Sequence, residues 1–127
     1  MLLSESEIKS ICDQLLGHSK ADDAEVFVSN DDYSHLRFAA NAFTTSGRRE
    51  NASAGITVWI GRKRGSASAN DLDAASLREA VEQAEQLARI SPEDKEYVPK
   101  LERQTYRPVS GYVEATANLA LDDRQGH

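Results

Sequence analysis

Apolar residues near the start of the chain recur three and four positions apart, and Ile8, Ile11, Cys12, Leu15 and Leu16 form one stripe. That spacing predicts an amphipathic helix. Ser4 followed by Glu7 has the pattern of a capping box, Leu3 can staple against Ile8, and Gly17 is placed to end the helix in a left-handed conformation. From Ala24 the period changes to two. Ala24, Val26 and Val28 alternate with Glu25, Phe27 and Ser29, which predicts a first strand. Asn30, Asp31 and Asp32 read as a turn, and Leu36, Phe38 and Ala40 then alternate with His35, Arg37 and Ala39 in a second strand running to Thr45, broken at Ser46-Gly47. A third strand sets Ala54, Ile56, Val58 and Ile60 on one face and Ser53, Thr57 and Trp59 on the other. Gly61 and Gly65 bracket Arg62, Lys63 and Arg64 as a hairpin turn. The fourth strand, Gly65 to Asn70, is built from such small residues that pairing and a closely packed neighbour must hold it.

Asp73 can cap a second helix, with Leu77, Ala80, Val81, Ala84, Leu87 and Ala88 as its buried stripe. Arg78, Glu79, Glu82, Glu85 and Arg89 are expected to face water, with Glu85 and Arg89 paired at i,i+4. Pro92 disfavours helix at Ser91, and Ser91 to Asp94 could begin a single further turn. Beyond Tyr97 no period is sustained, so an extended arm is expected, followed by a short helix near Tyr112 to Ala117. Asp122 and Asp123 have the look of an acidic first helical turn, but only Arg124, Gln125, Gly126 and His127 follow. Both a chain cut inside its architecture and a frayed natural tail fit that ending.

This order predicts an α+β fold: an antiparallel four-stranded sheet (helix-strand-strand-strand-strand-helix) with the helices on one face and an extended C-terminal arm. Residues 1–97 would form the α+β domain, and residues 98–127 the arm and the start of a truncated following region. The helix-facing side should carry Val26, Val28, Leu36, Phe38, Ile56, Val58 and Ile60. Phe27, Ala39, Phe43 and Trp59 would make a second, partly apolar surface. It could serve as an interface, or the arm could fold back over it.

Composition narrows the function classes. The chain has 127 residues, enough for one domain with its own core. Its net charge of -6 argues against nucleic-acid and anionic-membrane partners, which reward clustered positive charge. No segment approaches the roughly 20 apolar residues of a membrane span, and the polar N-terminus is unlike a signal peptide. The single cysteine, Cys12, gives no framework for disulfides, so a cytoplasmic location is expected.

Candidate chemistry is sparse. His18, His35 and His127 lie far apart, no Cys or His spacing suits a metal, and Cys12 reads as a core residue. His35 and Arg37, on one strand face, hint at an anion contact. Arg62, Lys63 and Arg64 could grip an acidic partner, helped by Arg48 and Arg49 if the two loops converge, although charged hairpin tips are usually just solvated. The paired carboxylates Asp22-Asp23 and Asp31-Asp32 are explained by turns and caps. No catalytic or metal-binding residue is therefore assigned. The residues singled out for an interface or a peptide contact are Phe27, Phe43, Trp59, Arg62 and Arg64.

The segments AEVFVS, LRFAANAFTTSG, GITVWIGRKRGSASANDLDAASLREAVEQAEQLAR and SPEDKEYVPKL together resemble the N-terminal region of the TldD/PmbA family, often labelled modulators of DNA gyrase and associated with peptidase and peptide-maturation activity. The resemblance runs from about Ala21 to Thr116, and the strand-turn-helix looks somewhat more like the PmbA side. It implies a zinc metallopeptidase system in which a His-Glu-x-x-x-His helix lies further along the longer chains of TldD-type members, while PmbA-type relatives lack it and act as partners. No residue here matches that helix, so zinc would belong to the full-length parent or its partner. The expected role is a non-catalytic scaffold or substrate-chamber domain, partnered by the remainder of a parent chain or by a TldD/PmbA-type subunit. The alternative is a free-standing peptide-binding module that uses an exposed sheet face or edge.

Overall fold

A computed structural model describes residues 2–125; His127, one of the three histidines, lies outside them. The elements in order are helix α1 (Glu5–His18), strands β1 (Asp23–Ala39), β2 (Ala42–Ile60) and β3 (Lys63–Ala69), helix α2 (Ala74–Ile90), and two short helices, α3 (Glu114–Ala117) and α4 (Leu121–Gln125). Contacts divide them into two compact units. The first is the chain up to Tyr33 together with Arg49–Tyr97; the second is Ser34–Arg48 together with the chain from Val98 onward.

The sheet has three strands, ordered β1-β2-β3, not the expected four. The expected first and second strands are one continuous β1, because Asn30, Asp31 and Asp32 do not turn the chain. Asn30 uses its side chain instead: the amide oxygen accepts from the Leu3 N–H and the amide nitrogen donates to the Asn51 carbonyl. Nor do Ser46 and Gly47 break the chain, which stays extended through β2. The real reversal is at Ala40 and Asn41, with φ of 52° and 58°. Two positive φ values in a two-residue loop match the twist of paired strands, but the alanine hides the turn from a sequence reading. The β2–β3 turn is tighter than expected: it takes Gly61, at φ 60°, and Arg62, while Lys63 and Arg64, expected in the turn, pair with Ile60 and Trp59 and open β3.

In the first unit, β2 and β3 pair antiparallel, with Ile56 opposite Ala67, Val58 opposite Gly65 and Trp59 opposite Arg64. Alternation then sends Ala54, Ile56 and Val58 to the helix side, where they are buried with Ile11 and Leu15 of α1 and Leu77, Val81, Ala84 and Ala88 of α2. Val26, Val28 and Ile60 join the margin of this core. Each large aliphatic side chain so buried contributes about 1.5–3 kcal/mol. Leu36 and Phe38, expected on the same side, belong instead to the second unit, and Phe38 is 74% exposed.

Both long helices start where their caps dictate. Ser4 Oγ accepts the Glu7 N–H and the Glu7 carboxylate accepts the Ser4 N–H, while Asp73 accepts the N–H groups of Ala75 and Ser76. Gly17 does not terminate α1, which continues to His18 and ends at an extended Ser19. Helix α2 ends at Ile90, where the Ser91 N–H and hydroxyl both donate to the Leu87 carbonyl. No turn of helix follows, because Glu93 bridges to Lys63.

The face of α2 is rotated slightly from the expected stripe: Leu87 is 44% exposed and Glu85 is buried. Glu85 is tolerated there because its Oε1 accepts the Lys20 N–H at 2.6 Å and the Ser19 hydroxyl at 3.3 Å. Its pair with Arg89, at 3.5 Å, is as expected. The alanines let α2 lie almost on β3. A Cβ added to Gly65 would stand 2.0 Å from the Ala84 carbonyl oxygen and 2.4 Å from the Ala88 nitrogen.

Candidate functional site

The sheet of the first unit has one face under helices and one bare face, built by the other half of the alternation. Phe27 stands between Val26 and Val28, and Trp59 between Val58 and Ile60, so covering the even positions forces both aromatic rings outward. Phe27 is 70% exposed and Trp59 is half-buried. Arg64 lies directly across from Trp59, and next along the same face the Thr57 and Ser66 hydroxyls are hydrogen-bonded at 2.8 Å. This face thus carries an indole, a hydroxyl pair and one guanidinium on β2 and β3, with Phe27 on β1.

Arg62 does not join that strip. Its guanidinium donates to the Lys95 carbonyl at 3.1 Å and its own carbonyl accepts from the Asp94 N–H at 2.8 Å, which ties the β2–β3 turn to the segment after α2. Arg49 lies over the Tyr33 ring, 5.3 Å from its centroid, a cation–π placement.

Phe43 falls in the second unit. There the tip of the β1–β2 hairpin and α4 enclose a concavity of about 680 Å³, with Leu36, Phe38 and Phe43 as its apolar lining and Ser34, His35 and Arg124 among its polar groups. Arg124 donates to Ser34 Oγ. The His35 ring lies over Gly47, close enough that a Cβ there would come within 2.7 Å of it. Sequence reasoning missed this concavity. Phe38 read as core and Arg124 as tail, and neither period nor motif shows that a five-residue helix meets a hairpin 90 positions earlier.

Glu7 is held below the usual carboxylate range by the Ser4 hydroxyl and then the Ser4 backbone, and Asp73 is held below it by the Ser76 hydroxyl and N–H. Both shifts belong to helix caps. Among the described residues no three His, Cys, Asp or Glu side chains form a group that could hold a metal ion. Cys12 is half-buried and unbridged. No helix among the described residues is long and apolar enough to cross a membrane.

Comparison with known proteins agrees with this architecture. The profile of a family described as PmbA/TldA metallopeptidase domain 1 matches residues 24–88. TldE from Thermococcus kodakarensis superposes with a TM-score of 0.72 at 20% identity, covering 91% of this chain and 26% of that one. A protein from Thermotoga maritima, whose name proposes it as a modulator of a DNA gyrase, superposes with a TM-score of 0.68 at 20% identity, covering 94% of this chain and 27% of that one. The chain thus spans about a quarter of the length of these two structures. No curated protein matches it.

Proposed function

This chain belongs to the PmbA/TldD family, and from that premise we propose that it acts as a non-catalytic first domain in a metallopeptidase system that cleaves or matures peptides. In this reading it helps to wall a peptide-binding cleft. Its partner is the remainder of a longer parent chain or a TldD/PmbA-type subunit, zinc resides there, and the system works in the cytoplasm.

The observation that carries the reading is the bare face of the sheet. Phe27 is 70% exposed on this face, and further along it Trp59 stands across from Arg64; aromatic rings and a guanidinium presented together on one sheet face favour contact with another chain. Rings and a guanidinium on one face support contact with peptide or protein, and in the proposed system the chemistry is supplied by the partner. A free-standing module that captures a peptide by strand addition is the second reading. It is favoured by the position of β3 at a sheet edge, with small side chains over Gly65–Ala69.

Trp59 is the only tryptophan of the chain, so its emission reports on this face directly. Titration with unfolded peptides, with and without zinc, should give a saturable change in Trp59 emission and no cleavage. Zinc-dependent hydrolysis by this chain alone would overturn the non-catalytic role, and silence of Trp59 at millimolar peptide would overturn the peptide contact.

A further inference from the structure

The concavity of the second unit has a composition that selects its ligand. Leu36, Phe38 and Phe43 line a space of about 680 Å³, within the roughly 300–1,000 Å³ of small-molecule and peptide side-chain sites. Phe38 and Phe43 remain 74% and 51% exposed in it, so an apolar group entering the space would remove two aromatic rings from water. The polar part includes one fixed cation, the Arg124 guanidinium. Arg124 and His35 contribute to the wall, and no carboxylate side chain is found among its described lining residues, although the chain as a whole carries a net charge of -6. A guanidinium has five N–H donors in a planar fork. The bond from Arg124 to Ser34 Oγ uses one of them, and a guanidinium's remaining donors are the groups that pair with a carboxylate.

The ligand must therefore place an apolar side chain and a carboxylate within one small volume. Within a peptide a single residue carries both only at its C-terminus. We propose that this concavity binds the carboxyl-terminal residue of an extended peptide, the terminal carboxylate on Arg124 and an aromatic or large aliphatic side chain among Leu36, Phe38 and Phe43. This deepens the peptide-contact reading above and rests on it, while using a different part of the chain.

The test uses the full chain and dye-labelled peptides of one sequence ending in Phe, prepared as the free acid and as the amide, with a third, amidated peptide carrying Phe-Glu internally. Fluorescence anisotropy should show the acid binding roughly ten-fold or more tightly than the amide, the ratio expected for a hydrogen-bonded charge. Arg124→Gln should erase that preference, Arg124→Lys should keep part of it, and Phe43→Ala should weaken the acid while far-UV circular dichroism stays unchanged. Equal binding of acid and amide overturns the proposal, and so does an internal Phe-Glu peptide that binds as well as the acid. If Trp59 emission still responds to acid and amide alike, the peptide contact stands and only the terminal-carboxylate site falls. If no peptide changes either signal, both fall.

Discussion

Replacing Gly65 with alanine tests the most demanding contact in the fold. The added Cβ would stand 2.0 Å from the Ala84 carbonyl oxygen, 2.4 Å from the Ala88 nitrogen and 3.0 Å from the Ala88 Cα, and all three are backbone atoms with no rotamer to escape into. Reaching an ordinary contact near 3.4 Å requires α2 to retreat from β3 by about 1.4 Å. A radial gap of only about 0.5–1 Å already forfeits a quarter to a half of the dispersion energy at a contact. The residues that would lose it, Leu77, Val81, Ala84 and Ala88, are at most 1% exposed. Overpacking of this kind costs about 1–3 kcal/mol and sometimes more, and the gain of about 0.4–1 kcal/mol from a stiffer unfolded chain offsets only part of it. A backbone clash belongs at the upper end, so a net loss of about 2–2.6 kcal/mol is expected. In urea, followed by Trp59 fluorescence, that lowers the midpoint by about 0.7–2.6 M for a slope of about 1–3 kcal/mol/M. The control is Gly55→Ala, whose Cβ would meet only the Ala67 and Phe27 carbonyl oxygens, both at 3.9 Å. If the two variants unfolded within about 0.5 kcal/mol of each other, the close approach of α2 to β3 would be refuted.

Glu85→Ala should cost about 1–3 kcal/mol by leaving the Lys20 N–H and the Ser19 hydroxyl without their acceptor, whereas Glu85→Gln should keep most of the stability; thermal unfolding that ranks the two the other way refutes the acceptor role. Asp73 has a folded pKa below its ordinary value of 3.8, so its contribution is fully present above that value and is lost as pH falls through the lower folded pKa. Asp73→Asn should therefore flatten the acid limb of a stability–pH curve between pH 5 and 2, and an unchanged limb would contradict the cap. Ala40→Gly should raise protection of the hairpin amides against hydrogen exchange, because an L-residue at φ 52° costs about 1–2 kcal/mol that glycine does not incur. Slower exchange in Ala40→Val than in Ala40→Gly would be incompatible with that turn.

What could be read from the chain alone is what short-range physics controls. The helix starts at Ser4 and Asp73, the β2–β3 turn at Gly61, the outward pointing of Phe27 and Trp59, and the need for a close neighbour on the small-residue strand all follow from caps, alternation and side-chain size. The family resemblance also rested on such fold-shaping patterns, and residues 24–88 bear it out.

Tertiary structure decided the rest. Asn30, Asp31 and Asp32 have turn chemistry, yet they lie in a strand because Asn30 finds partners in Leu3 and Asn51, one of them 27 positions away. Ala40 has none, yet it turns, because β1 and β2 pair on either side of it. Glu85 had the spacing of a solvated pair and is buried because the α1–β1 connection brings two donors to it. The concavity with Arg124 owes its existence to a contact 90 residues apart. Local pattern specifies what each segment prefers when its neighbours are unknown. Which backbone donors, rings and charges meet is set by long-range pairing, whose free energy exceeds the fractions of a kcal/mol by which one turn or face is preferred to another.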